Sequence, residues 1–325
     1  MSRVRASTRV ALALIVFLFL NVGLVYGWSN GGYSTDTTHP KYGTHDWIAQ
    51  HALDWLPTQE KQYIQDNLAV YLYGTELPDN GGASDGIGDT TKHHVYYSAS
   101  GTLLDDASAQ RAKTEYNIAL NYLKAQDYAD AAKTAGTMTH YIADLAVFGH
   151  VMGSSTPWGS EIHHSDYEDY AEARTTSYSG SFNTYLSFDG SLSSTSAYNA
   201  AINLAYDTTF GGSSHLTCVW MDNNYNWNNP TFSGRCGESL NLAVNTITDV
   251  LHSLYQEAAA SSTTTPTSAP SPTSSPSPSS TPSLNPTPTI PEFPFEIVIA
   301  LAIIIATTLS TLLLKLKNPS RTTKG

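Results

Sequence analysis

The chain has 325 residues, of which 41% are hydrophobic and 14% charged, so it can bury one sizeable core. Its formal net charge is −12 at pH 7, and no Lys/Arg-rich block interrupts this acidic balance. Binding of nucleic acid through phosphate neutralisation needs clustered cations, so this charge argues against that function. The eleven histidines are the unusual feature of the composition.

The N-terminus has the layout of a cleaved secretory signal. Three arginines lie within the first nine residues, an apolar stretch covers residues 10–20, and a small residue, Gly27, follows. We expect residues 1–27 to be removed, which leaves a mature chain that begins at Trp28 with a free α-amine. An N-terminal anchor that is retained is the alternative.

Between residues 28 and 262 the hydrophobic pattern is mostly helical. The stretches HDWIAQHALDWL and SLNLAVNTITDVLHSLYQEAAA repeat apolar residues with the helical period, and EYNIALNYLKAQDYADAAKTAGTMTHYIADLAVFGH does so over many turns. Alternation typical of strands is scarce, and HHVYYSASG is one short extended candidate. The pattern therefore predicts an all-α domain of five to nine helices over residues 28–262.

The C-terminal end predicts a membrane tether. Residues 263–294 form a Ser/Thr/Pro-rich tract that cannot build a core and is expected to be a disordered linker. An uncharged apolar run follows, so residues 295–316 are predicted to be a transmembrane helix, with the basic tail 317–325 in the cytoplasm. The folded domain is then exported and anchored at the cell surface, outside the membrane.

Two cysteines, Cys218 and Cys236, lie in the part that is expected to be exported. In an oxidising compartment, a single structural disulfide is a better interpretation of such a pair than metal ligation. We expect this bond to close the Asn- and Trp-rich loop between them.

Histidines and carboxylates gather in the stretch HYIADLAVFGHVMGSSTPWGSEIHHSDYE. His140 and Asp144 are four residues apart, as are His164 and Glu168, so on helices each pair shares one face. With His150 between the pairs, the pattern H-x3-D-x5-H-x13-H-x3-E is expected by chance roughly once in ten thousand such chains. Imidazole and carboxylate groups suit zinc, so a metal site is favoured over charges on solvated helix faces.

This pattern resembles the zinc-dependent phospholipase C family of bacilli and clostridia. That family begins its mature chain with Trp, as this chain does at Trp28 after the predicted cleavage, and it has a His before a small helix, as His45 in GTHDWIAQHAL. Its other ligands are an Asp in a Pro-Asp turn and a later His, for which ELPDNGGASDGIGDTTKHHVYY offers Asp79 and His94. The resemblance covers roughly residues 28–260.

Two of these assignments have alternatives in the same segment. Asp85 and Asp89 are further carboxylates that can take the place of Asp79. His94 is preferred to His93 because the family pattern is His, then an aromatic or apolar residue, then an aromatic residue.

The resemblance implies a multi-helix domain, a fold shared with S1/P1-type nucleases, and a centre of three zinc ions. Asp144 would bridge two of them. By zinc ion, the implied ligands are His150, His164 and Glu168; Asp79, His94, His140 and Asp144; and the amine and carbonyl of Trp28, His45 and a shared oxygen of Asp144.

The implied activity is that of a phospholipase C, which releases a phosphorylated head group and a lipid alcohol from a phospholipid. A zinc-bound hydroxide would attack phosphorus, and Asp79 would be the catalytic residue that orients it or takes its proton. Asn80 and Gly31 stand where the choline pocket of the family has aromatic and acidic residues, so a preference for phosphatidylcholine is not implied. We expect a monomer without a nucleic acid partner.

Two other functions use the same residues. In S1/P1-type nucleases the interval before the last ligand pair is longer, that pair ends in Asp, and the first His lies close to the Trp. Here the interval is thirteen residues, the pair ends in Glu168, and His45 is seventeen residues from Trp28, which favours the phospholipase. A non-catalytic surface protein held by zinc is the second alternative, but structural zinc sites are usually closed by four protein ligands.

Overall fold

Helices make up most of the structure, a computed structural model that describes Trp28 and residues 32–262. The prediction of a mainly helical domain is confirmed. The α-helices of this part are α1 Thr44–His51, α2 Thr58–Gln65, α3 Leu68–Glu76, α4 Ala107–Lys124, α5 Tyr128–Ala143, α6 His164–Glu172, α7 Ala197–Phe210, α8 Cys218–Asn223 and α9 Pro230–Ser262. Short 3-10 helices lie at Thr90–Lys92, Asp144–Ala146, Phe148–Val151, Ser181–Tyr185 and Gly212–Ser214.

The predicted extended segment forms one edge of a small antiparallel ribbon. Its strand β1, Tyr96–Tyr97, pairs with β2, Leu103–Asp105. A tight turn joins them, in which the Gly101 amide donates a hydrogen bond to the Ser98 carbonyl at 3.0 Å. The ribbon follows the loop that contains two of the candidate ligands.

Several predicted segments lie outside the described residues: the signal 1–27, the linker 263–294, the membrane helix 295–316 and the basic tail 317–325. Within the described part of the chain, no helix has both the length and the apolar character that crossing a bilayer requires. These segment boundaries and the anchoring stay predictions.

Helix α5 is the element around which the other helices of the site pack. It contacts α3, α4 and the long α9, and its alanines Ala131, Ala132 and Ala135 are fully buried in these contacts. Small side chains allow neighbouring helix backbones to approach closely and still exclude water. At its start, the Asp127 side chain accepts the Asp130 amide, which satisfies one of the unpaired N–H groups of the first turn.

A pair of glycines sets the distance between α3 and α5. A Cβ added to Gly136 would overlap the carbonyl oxygen of Tyr71, and one added to Gly74 would overlap that of Lys133. The Thr137 hydroxyl donates a hydrogen bond to the Gly74 carbonyl at 3.1 Å, which ties the two backbones together. The contact fixes the end of α3 beside the last turns of α5, where the candidate ligands begin.

The predicted disulfide between Cys218 and Cys236 is wrong. Both are free thiols in the structure, and each is fully buried in the core, one at the start of α8 and the other within α9. Cys236 is hydrogen-bonded to Tyr167, and burial raises the pKa of each thiol to about 12. The oxidising compartment favours a bond only where two sulfurs lie in bonding distance, and here the thiols serve as small buried side chains.

Replacement of Gly136 by alanine should separate α3 from α5. Because the new methyl group meets backbone atoms that cannot rotate away, we expect a loss of about 1–3 kcal/mol or more in the free energy of unfolding. Gly234→Ala in α9 is the matched control, since nothing lies within 4 Å of its added Cβ. Chemical denaturation of both variants tests this contact, and equal stability of the two would contradict it.

Candidate metal centre

Eight side chains from six places in the chain converge at one end of α5. His140 lies in the last turn of α5, and Asp144 begins the 3-10 helix that follows directly. All eight are at most 9% exposed, which is unusual for so many ionisable groups in one place. They are His45 from α1, Asp79 from the loop after α3, His93 before β1, His140, Asp144, His150 from the 3-10 helix Phe148–Val151, and His164 and Glu168 from α6.

The first group consists of His45, His140 and Asp144, whose ligand atoms lie within 4.8 Å of one another. His45 Nε2 is 3.2 Å from Asp144 Oδ1, and His140 Nε2 is 3.2 Å from Asp144 Oδ2. The two imidazole rings are stacked, with centroids 3.8 Å apart. The predicted i, i+4 pair of His140 and Asp144 therefore shares one face, as helical geometry requires.

The second group consists of Asp79, His93 and His140. His93 Nδ1 is 3.5 Å from Asp79 Oδ1 and 2.9 Å from Asp144 Oδ2. His140 Nε2 is 3.8 Å from Asp79 Oδ2, so this histidine faces both groups. Asp144 lies between them.

The third group consists of His150, His164 and Glu168. His164 Nε2 is 2.9 Å from Glu168 Oε1, and His150 Nε2 is 3.5 Å from the same oxygen. His150 Nε2 is also 3.8 Å from Asp144 Oδ1, which connects this group to the other two. All members come from the stretch in which the spacing pattern was found.

Trp28 lies against the same centre. Its backbone nitrogen is 3.3 Å from Asp144 Oδ1, and its indole nitrogen donates a hydrogen bond to the Ala143 carbonyl at 2.9 Å. The side chain is fully buried and its ring lies 5.3 Å from that of Tyr167. The nitrogen that cleavage after Gly27 would free therefore faces the Asp144 carboxylate, which belongs to the first group and lies 2.9 Å from His93 of the second.

The structure places His93, not the expected His94, in the second group. His94 Nε2 instead faces Asp105 at 3.2 Å, and its ring stacks on Tyr96 with centroids 4.2 Å apart. Burial alternates along this segment: His93, Val95 and Tyr97 are buried, whereas His94 and Tyr96 are partly exposed. The apolar Val95, two residues after His93, was the signal in the sequence for this buried side.

The two alternative carboxylates of the loop do not belong to the candidate groups. Asp85 accepts a hydrogen bond from the Tyr73 hydroxyl at 2.7 Å and lies 3.4 Å from Lys133 Nζ. Asp89 lies behind His93, 3.6 Å from its Nε2 atom. Asp79 is thus the loop carboxylate that the structure brings together with His140.

The donor atoms of the centre fit a cation. Among the described residues, four buried side-chain atoms that face other members of the cluster lack a hydrogen bond: His45 Nε2, Asp79 Oδ1, Asp144 Oδ2 and His150 Nε2. Leaving a buried polar atom without a partner costs about 1–3 kcal/mol, so native proteins rarely accumulate such atoms. Nitrogen and oxygen donors in one buried cluster are the ligand set of zinc.

Hydrogen bonds on the outer side of two histidines orient them towards this cluster. His140 Nδ1 donates to the Thr75 carbonyl at 2.7 Å, which leaves the Nε2 lone pair for the centre. His164 Nδ1 faces Glu161 Oε1 at 3.4 Å. Metal-binding histidines commonly use their second nitrogen in this way, which fixes both tautomer and ring direction.

Opposing charges dominate the acid–base behaviour of the protein without metal. Burial alone would raise the pKa of Asp144, but the surrounding imidazoles hold it well below its usual range; they belong to His140, His150, His45 and His93. Burial opposes charge on His164, yet Glu168 and Glu161 raise its pKa to about 10. Burial likewise opposes charge on His93, and Asp144 foremost raises its pKa to about 10.

Known proteins provide a comparison. Residues 44–215, slightly more than half of the chain, match the family described as "Zinc dependent phospholipase C". The chain is also similar to two solved structures, the alpha toxin from Clostridium absonum and the alpha-toxin of Clostridium perfringens isolated from avian strain SWCP. No curated protein sequence matches it.

Both structural similarities are distant. The first toxin shares 15% identity over 69% of this chain with a TM-score of 0.46, and the second shares 15% over 73% with a TM-score of 0.38. The match spans 65% of the length of the first toxin chain and 67% of the second.

Zinc binding should displace protons from the protein. With a pKa of about 10, His93 and His164 are charged at neutral pH in the metal-free state, and an imidazolium cannot ligate a metal. We therefore expect proton release at pH 7 and tighter zinc binding as the pH rises from 6 to 9, by up to about tenfold per pH unit for each proton released. Calorimetric titration in buffers of different ionisation enthalpy measures this release, and an affinity that does not change with pH would refute it.

Proposed function

Because this chain belongs to the zinc-dependent phospholipase C family, we propose that it is a phospholipase C that releases a phosphorylated head group from a phospholipid. Membership of this family indicates a phosphodiesterase-type hydrolase. The observation that supports the proposal most strongly is the convergence of three buried His/carboxylate groups, two of which share His140 and border Asp144. A single structural zinc site needs only four ligands, and this cluster offers twice that number.

Three zinc ions are proposed for this centre. Asp144 would ligate two of these ions, one through Oδ1 on the side of His45 and the other through Oδ2 on the side of His93. By zinc ion, the proposed ligands are Asp79, His93, His140 and Asp144; Trp28, His45 and Asp144; and His150, His164 and Glu168.

When bound, zinc supplies Lewis acidity and lowers the pKa of a coordinated water towards neutrality. The chain's own residues then orient the reacting groups. Asp79 is a buried carboxylate whose Oδ1 atom lacks a hydrogen bond among the described residues, and burial raises its pKa above the usual value. It is therefore suited to orient the attacking water and accept its proton, which is the catalytic role we propose for it.

Buried aromatic side chains pack next to the site. Tyr141, Tyr167 and Phe148 are buried around it, so the electrostatic effect of each carboxylate is stronger than at a surface. Charge developing on a phosphate during hydrolysis is best stabilised in such a preorganised, low-dielectric environment.

Substrate and location are parts of the proposal that the sequence supports. The net charge of −12 opposes approach of a polyanion, which favours a lipid over a nucleic acid substrate. An anchor at residues 295–316 would keep an exported monomeric enzyme close to lipid.

Assays of one preparation on both substrates distinguish a phospholipase C from a nuclease. Protein that begins at Trp28 should hydrolyse phospholipid in mixed micelles and leave single-stranded DNA intact. Glu168→Gln should lower this turnover by about 100-fold or more, because loss even of an outer partner of a metal ligand costs about 10–100-fold. Glu172→Gln, one turn further along α6, is the control that should retain activity. Cleavage of DNA without lipid hydrolysis would sink the proposal.

Binding of the zinc ion assigned to Trp28, His45 and Asp144 depends on cleavage before Trp28. An amine can ligate zinc only as a free N-terminus, whereas with Gly27 attached the Trp28 nitrogen is an amide and a poor ligand. Protein beginning at Trp28 should hold three zinc ions, and protein beginning at Gly27 should hold two and lose most turnover. One glycine added at the C-terminus is the control. Equal zinc content and turnover in the two N-terminal forms would remove Trp28 from the ligand set.

A further inference from the structure

We propose that Asp89, held by Arg111 and Tyr141, is a positioning residue that aims the His93 ring at the metal centre. This inference rests on the proposed role of His93 as a zinc ligand. It concerns three residues that lie behind the candidate groups and that none of those groups includes.

The contacts place Asp89 between His93 and two donors. Its Oδ1 atom accepts a hydrogen bond from the Tyr141 hydroxyl at 2.6 Å and lies 3.6 Å from His93 Nε2. Its Oδ2 atom pairs with Arg111 Nε at 2.8 Å. Both oxygens of the carboxylate are therefore fixed before the histidine is considered.

Arg111 and Tyr141 are themselves fixed to helices. The guanidinium donates to the Tyr141 hydroxyl from Nε and Nη2 at 3.2 and 3.1 Å, and Nη2 lies 3.0 Å from Glu115 one turn along α4. Tyr141 lies in α5, directly after the ligand His140. The guanidinium and the tyrosine hydroxyl thus tie the Asp89 carboxylate to helices α4 and α5.

The loop between the two aspartates is also closed at its base. The Asp89 amide donates a hydrogen bond to the Pro78 carbonyl at 3.0 Å, next to Asp79. Asp79 reaches the centre from one end of this loop, and Asp89 supports His93 from the other. A displacement of Asp89 would therefore reach two proposed ligands.

His93 needs such a partner because of which nitrogen faces the centre. Nδ1 lies 2.9 Å from Asp144 and 3.5 Å from Asp79, so Nε2 must carry the proton when Nδ1 ligates a metal. Asp89 is the carboxylate on that side. The distance of 3.6 Å from Asp89 Oδ1 to His93 Nε2 is within ion-pair range, and a slightly closer approach brings the two atoms into hydrogen-bond range of about 2.7–3.2 Å. A carboxylate on the second nitrogen of a ligating histidine fixes the tautomer and raises its basicity.

The same loop contains a matched control. Asp85 also combines a tyrosine hydroxyl and a cation, Tyr73 at 2.7 Å and Lys133 at 3.4 Å. Among the described residues, no histidine forms a hydrogen bond or ion pair with Asp85. Substitution of Asp85 or of Asp89 therefore removes a carboxylate held by a tyrosine and a cation, but of the two only Asp89 also faces a proposed ligand.

The test compares zinc affinity in protein that begins at Trp28 with that of its Asp89→Ala and Asp85→Ala variants, by competition with a chelating dye after metal removal. Asp89→Ala should weaken one zinc ion by about 10–100-fold, the cost typical of losing an outer-shell partner. Asp85→Ala should leave all zinc affinities within about threefold of wild type, while both variants lower the melting temperature of the metal-free protein. Equal zinc affinities in the two variants overturn the inference.

A milder pair covers the case in which Asp89→Ala does not fold. Tyr141→Phe removes one hydrogen bond to Asp89, and we expect zinc affinity to fall about 2- to 10-fold, whereas Tyr73→Phe should not change it. No difference between these two variants overturns the inference as well. Absence of zinc uptake by the wild-type protein would refute the proposed function itself, which distinguishes that failure from this one.

Discussion

Asp144 is a fully buried carboxylate with four imidazoles within 4 Å, and the rest of the site is arranged around it. Burial of an uncompensated carboxylate costs several kcal/mol, so this position is stable only with cations on both of its oxygens. In the metal-free protein, His93 supplies such a charge at Oδ2, because its pKa is raised to about 10. Zinc would replace this proton, which couples metal binding to proton release.

Helix α5 carries this constraint into the scaffold. It delivers His140 and Asp144 on one face, and its close contact with α3 through Gly74 and Gly136 puts the Thr75 carbonyl against His140. A change in the helix spacing would therefore alter ligand direction without touching a ligand. The tight packing and the polar cluster depend on each other, since the packing excludes the water that would otherwise solvate the carboxylates.

The sequence predicted the parts of the site that depend on local geometry. His140 with Asp144 and His164 with Glu168 were identified because four residues make one helical turn, and helix spacing needs no knowledge of the tertiary fold. The expectation of His94 rested on the residue types of the family pattern, whereas burial alternates along His93, Val95 and Tyr97 and brings His93 to the cluster. The contact between Asp89 and Arg111 joins residues from different elements, so no local pattern in the sequence predicts it. The same holds for the free state of Cys218 and Cys236, which depends on where the tertiary fold places the two thiols.

Anomalous diffraction at the zinc edge, from crystals of the protein that begins at Trp28, would locate the metal ions directly. We expect three peaks within the cluster, two of which flank Asp144, one towards His45 and the other towards His93. Peaks at other places, or a cluster that stays empty after zinc is supplied in excess, would show that the histidines and carboxylates only neutralise one another.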